Sequence, residues 1–318
     1  MELRHLRYFV MVAEEQHFTR AAARLNMQQP PLSQQIRALE DELGFALFIR
    51  HPKGVALTAG GEVFLQEARD ILARVGRGAH RAARVAHGIA GTLALGFTSS
   101  AAAHALIPRI IRAYRERYPD VELTVSEDNA QGLTHGVAEG RLDMAILRAP
   151  VSTVDGVSYH RLLNEEMVLA LPVDHPLFAG ASGEALQAMA QRGFTLQALA
   201  DEPFILVRKP GAPGMYANLV KACRNAGFEP RIACEIERML TNLSLVAAGA
   251  GISAVPASMT GLHDSSIVYC RIRDARPRLV APVTLACRTF NPTPAQDNFV
   301  ALARQMAGRP CRREGLPV

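Results

Sequence analysis

At 318 residues, with 49% hydrophobic and 20% charged positions, the chain is long enough for two or three compact units and carries no signature of disorder. Its net charge of +5 is unevenly placed: residues 1–90 hold 12 Lys/Arg against 9 Asp/Glu, residues 91–306 hold 20 of each, and residues 307–318 hold three arginines against one glutamate. A modestly basic head on a neutral body suits a protein that touches phosphate with one end.

The first elements read clearly. Leu3, Leu6, Phe9, Val10 and Ala13 recur at three- and four-residue steps and predict an amphipathic helix to about Glu15. A polar break at Gln16-His17 leads into a compact Ala-rich helix, Phe18 to Leu25, and Asn26–Gln29 makes a tight turn. Pro30 and Pro31 follow at the first helical positions, where proline gives up only an amide that is already unpaired. The third helix runs from Leu32 to Leu43 with its apolar stripe on Leu32, Ile36, Leu39 and Leu43, and Gly44 stops it. Ser33, Gln34 and Arg37 lie on its other faces. Two short helices, a turn and a third helix that is polar near its start are the layout that sets a recognition helix in the major groove. There Gln and Ser reach base edges and phosphates, and Arg supplies charge. Phe45–Thr58 then reads as a two-stranded wing whose turn carries Arg50, His51 and Lys53 toward the backbone or minor groove. The candidate DNA contacts are Thr19, Gln28, Gln29, Pro30, Pro31, Ser33, Gln34, Arg37, Arg50 and Lys53.

From Glu62 a long helix is predicted to about Gly88. Phe64, Ala68, Ile71, Val75, Gly78, Ala82, Val85 and Ile89 alternate steps of four and three, a heptad seam. Acids come early and arginines late, complementing the helix dipole. Phe64, Ala68, Ile71 and Val75 are the expected dimerisation residues; the alternative is a helix packed on its own domain.

The ordered run Glu2-Leu3-Arg4-His5-Leu6-Arg7-Tyr8-Phe9, Phe18-Thr19-x-Ala21-Ala22, Gln29-Pro30-Pro31-Leu32-Ser33-x-Gln35-Ile36, Leu39-Glu40-x-Glu42-Leu43-Gly44, Leu47-Phe48-x-Arg50 and Leu57-Thr58-x-Gly60-Gly61 resembles the LysR-type regulator family at nearly every motif position. In the head the resemblance is closest to the aromatic-degradation subgroup. It implies a winged helix-turn-helix, a long linker helix used for dimerisation, a two-lobed effector domain like the type II periplasmic binding proteins, a homodimer or homotetramer, and both repression and activation. Two positions depart from the family. Gln28 stands where Ser or Thr usually caps the helix, and Gln caps less well. Gln34 stands where Arg is common, a change expected to alter base preference rather than abolish binding, since Gln still pairs with adenine.

Beyond a hinge at Gly88–Thr92, strand and helix alternate: strands at 93–97, 121–127 and 142–147, with helices at 101–117 and 133–139. A second round follows, with strands at 204–207, 231–235 and 252–255 and helices at 215–226 and 240–248. With a crossover at 162–170 and a return after Ser265, these imply two α/β lobes around a cleft. The expected division is a DNA-binding domain at 1–58, a linker helix at 59–90, an effector domain at 91–306 and a tail at 307–318. Lobe I is read as 91–162 with 268–306, and lobe II as 163–267.

Ligands in such sheets sit at the carboxyl ends of strands, beside helix N-termini. Thr98, Ser99, Ser100, Asn129, Arg148 and Arg208 occupy such places and are the candidate effector contacts, with Arg148 able to form a bidentate pair with a carboxylate. Family members that sense muconate-like diacids carry an arginine near the place of Asn164 and a hydroxyl near that of Ala130. A monoanionic carboxylate, aromatic or not, is therefore the expected effector. No G-x-S-x-G, H-E-x-x-H, P-loop or dinucleotide fingerprint occurs, so no catalytic residue, cofactor or metal is expected. The alternative function is a small-molecule-binding protein with enzymatic activity in the cleft. Five cysteines without C-x-x-C argue against a disulfide framework and for buried thiols, with a redox sensor as the alternative. The charged N-terminus lacks a signal peptide's apolar run, and Leu243–Pro256 is too short for the ~20 residues a bilayer needs. A cytoplasmic protein with no membrane partner is expected.

Overall fold

The computed structural model describes residues 1–52, 54–148, 154–207 and 214–308. The chain divides into two compact units, Met1–Arg84 and Val85–Val318.

In the first unit, α1 (Leu3–Glu15), α2 (Phe18–Arg24) and α3 (Gln29–Leu43) surround a core that includes Phe9, Val12, Leu32, Ile36, Leu39 and Leu47, all fully buried. The breaks are local chemistry. Gln16 turns α1 off in the left-handed region at φ 52°, His17 accepts the Thr19 amide to start α2, and Gly44 at φ +78° closes α3. Strands β1 (Phe48–His51) and β2 (Gly54–Leu57) form an antiparallel hairpin. Glu40 ties it to α3 by accepting the amides of Leu47 and Phe48 at 2.8 and 3.1 Å.

Helix α4 (Ala59–Ala86) leaves the hairpin through Thr58, whose hydroxyl donates to Ala46 O at 2.7 Å and accepts the Gly61 amide at 2.9 Å. Gly61 has no room for a side chain: a Cβ there would stand 2.2 Å from Leu47 O. Gly61→Ala is therefore expected to lower the stability of this unit by about 1–3 kcal/mol, read from its chemical melting.

The heptad seam of α4 needs correction. Phe64 meets Phe9 at 5.3 Å between ring centroids, Ala68 is fully buried, and Ile71 packs on the same cluster. The start of the seam closes the helix's own unit, and Ala68 is out of reach of a second chain. Val75 is exposed, as is Val85 further along.

The second unit is a pair of α/β lobes joined by one long strand. In lobe I, β3 (Ala90–Phe97) pairs in parallel with β4 (Asp120–Glu127) and β5 (Met144–Leu147). Helices α5 (Ser99–Ala102), α6 (Leu106–Arg117) and α7 (Ala130–Ala138) connect these strands. Strand β6 (Val157–Pro172) belongs to both lobes: through Glu166 it pairs with β11 (Val280–Arg288), and from Met167 onward it pairs with β9 (Ser253–Pro256) and β10 (Ile267–Arg271). Lobe II adds α8 (Gly183–Arg192), the parallel pair β7 (Pro203–Val207) and β8 (Arg231–Ile236), α9 (Met215–Asn225) and α10 (Met239–Ala247). Helix α11 (Pro294–Ala307) returns to lobe I, where Phe299 packs on Tyr114. Each lobe carries apolar clusters on both sides of its sheet, which is why the inner parallel strands β5 and β7 read as unbroken apolar runs, whereas β4 and β8 carry charged residues and are largely exposed.

Three expectations change. The lobes exchange at residues 166/167 and again between 271 and 280, because β10 pairs with lobe II's half of β6; the expected boundaries at 162/163 and 267/268 fall inside paired strands. The expected helix at 101–117 is two helices, broken where His104 Nδ1 accepts the Leu106 amide. Gly88 is not a loose hinge. It is buried at φ +64° with Ala295 N 2.5 Å from where a Cβ would sit, and Asn298 donates to the carbonyls of His87 and Gly88.

Candidate DNA interface and effector cleft

On the first unit, Thr19, Gln28, Gln29, Pro30, Pro31, Gln34 and Arg37 are all exposed, and Ser33 is half-buried beside them. They cluster at the start of α2 and along the N-terminal half of α3. Gln28 stands at the N-cap in an extended conformation and makes no side-chain cap, as expected of Gln there. Arg50 is placed by two contacts. Its guanidinium lies 5.0 Å from the centroid of the Phe18 ring and donates to Ser33 Oγ at 3.3 Å, which ties the wing to the start of α3. His5 Nε2 donates to Gln35 Oε1 at 2.9 Å, its Nδ1 accepting the Glu2 amide, and so braces α3 on α1. Lys53 lies outside the described residues.

On the second unit, the carboxyl ends of β3, β4 and β5 carry Thr98, Asn129 and Arg148. Thr98 caps α5, its hydroxyl accepting the Ala101 amide at 3.3 Å; Asn129 caps α7, its Oδ1 accepting the Gly132 amide at 2.9 Å. Ser99 is half-buried and Ser100 is buried. Helices α5 of lobe I and α10 of lobe II pack against each other across the gap between the lobes. At the rim, Arg238 of lobe II donates to Glu127 of lobe I at 2.9 Å.

Arg148 differs most from expectation. It is 3% exposed and its fork is already engaged inside the protein: Nη1 donates to Glu165 Oε2 at 2.5 Å, and Nη2 donates to the Ser100 carbonyl and to Ser258 Oγ at 3.0 Å. Glu165 in turn accepts the backbone amide and hydroxyl of Ser258. The expected direct pairing of Arg148 with a ligand carboxylate is thus replaced by an internal ion pair. That pair joins β5 of lobe I, the crossing strand β6, and the turn after β9 in lobe II. Burial pulls the Arg148 guanidinium below its usual range and Glu165 opposes the shift. Nearby His104 is also held below the ordinary imidazole value, by burial first and then by Arg148, against the pull of Glu165. Arg148 Nε is buried without a hydrogen-bond partner among the described residues. Arg208 lies outside them.

Sequence reasoning missed Glu165, Ser258, His104 and the Glu127–Arg238 pair. Glu165 had a signal, an acid inside the mostly apolar second half of β6. Ser258 and Arg238 had none, because their partners are 93 and 111 residues away. Cys223, Cys270 and Cys287 are buried, and burial pushes each thiol up to about 12, so none of the three is a reactive thiolate.

A winged helix-turn-helix with an exposed polar recognition helix, followed by a two-lobed α/β body with polar side chains at the carboxyl ends of its parallel strands, defines a DNA-binding regulator that responds to a small molecule. Known proteins agree. The model of the bacterial regulatory helix-turn-helix protein, lysR family, matches residues 3–62, and that of the LysR substrate binding domain matches residues 86–308. The chain is 37% identical over 303 residues to the HTH-type transcriptional regulator AlsR of Bacillus subtilis, covering 95% of each chain. Its fold matches full-length CbnR complexed with its target DNA (TM-score 0.73, 29% identity, 96% of this chain and 100% of that one). It also matches the BenM effector binding domain with its effector benzoate (TM-score 0.56, 28% identity, 68% and 91%). The chain belongs to the LysR family of transcriptional regulators. It is a DNA-binding regulator with an effector-binding domain and not an enzyme. Among the described residues no helix is long and apolar enough to cross a membrane.

Proposed function

We propose that this regulator senses a small monocarboxylate in the cleft between its lobes and transmits occupancy to the DNA through the way its subunits associate. The observation that carries this reading is the convergence of Thr98, Ser99 and Asn129 at the ends of parallel strands, opposite α10 of the other lobe. The hydroxyls of Thr98 and Ser99 at the start of α5 and the amide of Asn129 at the start of α7 suit one carboxylate, and the partial charge of the α7 terminus favours an anion. Benzoate, the effector of the BenM domain, supports an aromatic example and the narrower likeness to regulators of aromatic degradation. Arg148 acts as a positioning residue: it fixes the Ser100 carbonyl, and hence the α5 turn, relative to Glu165 and Ser258.

Ligand that prefers one lobe arrangement shifts the population toward it, and only that difference in affinity can do work on the DNA. Two heads in a dimer read half-sites about one helical turn apart. The exposed second half of α4, with Val75 and Val85, is the face we assign to the partner helix, in a dimer or a tetramer of cytoplasmic protein. Gln29, Ser33, Gln34 and Arg37 face the bases and phosphates, with Arg50 supporting Ser33 from the wing.

The division of labour is tested with the pair Gln29→Ala/Ser33→Ala. Affinity for an operator recovered by selection from random duplexes should fall about 10- to 100-fold, the effect of one or two base contacts. The melting shift given by benzoate, and withheld by benzyl alcohol, should be unchanged. Loss of both properties together, or a shift from benzyl alcohol as large as that from benzoate, would contradict the reading.

A further inference from the structure

The return from lobe II to lobe I holds a feature that the effector cleft does not use. Glu166 of β6 pairs opposite Val280 of β11, and Val168 pairs opposite Arg271 of β10. Between these two registers the chain bows away from β6. The bow leaves a groove of about 340 Å³ bounded by Glu166–Val168 on one side and Arg271–Leu279 on the other.

Its wall is strongly basic. The return reads Arg271-Ile272-Arg273-Asp274-Ala275-Arg276-Pro277-Arg278, four arginines in eight residues. Asp274 keeps its negative charge but lies outside the groove lining, its Oδ1 accepting the Leu196 amide at 3.1 Å. Glu166 is the single acid lining the groove and it is held by Arg278. Arg271 and Arg273 line the groove, are exposed, and have no acidic partner within 4 Å among the described residues. After the Glu166–Arg278 pair cancels, two positive charges remain facing one small concavity. The groove is also separate from the cleft floor. Glu165 faces the buried Arg148, and Glu166, the next residue along the strand, points to the opposite face.

We propose that this groove is a second anion site, built for a phosphate group. Two unopposed guanidinium groups match the charge of a dianionic phosphate, whose three terminal oxygens can occupy both forks where the two oxygens of a monocarboxylate fill one. The bearer is free phosphate or a small phosphomonoester; both present the same group.

The test uses the full-length protein, with inorganic phosphate and glycerol 3-phosphate titrated by calorimetry against chloride at matched ionic strength. The expected result is saturable binding of at least one of the two, weakened tenfold or more in Arg271→Ala/Arg273→Ala. Tighter binding of the ester than of phosphate identifies a phosphorylated metabolite; equal binding identifies phosphate itself. Both replaced residues are exposed and unpaired, so the variant should keep the wild-type melting temperature in chloride, and Arg271→Lys/Arg273→Lys should retain part of the affinity. Arg37→Ala/Arg50→Ala, which strips charge from the DNA-binding head, should leave phosphate binding unchanged. Four results would overturn the proposal: no saturable binding, an unchanged affinity in the double alanine variant, loss on stripping the head instead, or competition by benzoate, which would put the anion in the cleft.

Discussion

Replacing Arg148 by methionine is expected to cost the effector unit about 3–5 kcal/mol, the usual loss when one partner of a buried ion pair is removed and the other is left charged. The side chains of Arg148 and Glu165 are 4% and 8% exposed, so water cannot take over the missing partner. The substitution also frees the Ser100 carbonyl and Ser258 Oγ, which bring lobes I and II into the same network. Arg148→Met/Glu165→Gln should recover much of the stability, because it removes the stranded charge while keeping the volume. It should not recover the benzoate response if Arg148 positions the α5 turn. Chemical melting followed by benzoate titration separates the two effects. A single variant as stable as the wild type would show that the pair is not buried in solution.

The second large effect lies in the head. Phe9→Ala should cost about 3–5 kcal/mol, the range for emptying a fully buried aromatic position. Phe9 is 0% exposed and meets both Phe48 of the wing and Phe64 of α4 at 5.3 Å between centroids. Its loss loosens the two elements that orient the recognition helix from behind. Operator binding should therefore fall at temperatures where the effector unit still melts normally and still shifts with benzoate. If Phe64 instead belonged to a contact between two chains, Phe9→Ala would weaken self-association as strongly as it weakens the head. Analytical ultracentrifugation of the variant decides between these outcomes.

The head was legible because its signals are local. Apolar steps of three and four, the left-handed stops at Gln16 and Gly44 and the prolines at the start of α3 each act within a few residues. The family motifs of that region have physical roles here: Glu40 holds the hairpin amides, Thr58 turns the chain into α4, and Gly61 admits the Leu47 carbonyl. The α4 seam misled because a heptad pattern and the core face of an amphipathic helix use the same spacing, and only the packing of Phe64 and Ala68 tells them apart. Strand β6 was read as a crossover because a strand shared by two sheets has no local mark; its halves are defined by partners more than 80 residues later. Arg148 was found by its place at a strand end, but its ligand was not. Glu165 is 17 residues away and Ser258 is 110 away, and a bidentate arginine looks the same in sequence whichever carboxylate it holds.

The central claim is that occupancy of the cleft changes how the heads hold DNA. It is tested most directly by the bend of a selected operator, read as energy transfer between its labelled ends with the full-length regulator bound. At benzoate concentrations that saturate the melting shift, transfer should change in the wild type and stay constant in Ser99→Ala/Asn129→Ala, whose cleft has lost its donors. An unchanged bend in the wild type, or the same change in the cleft variant, would contradict the account.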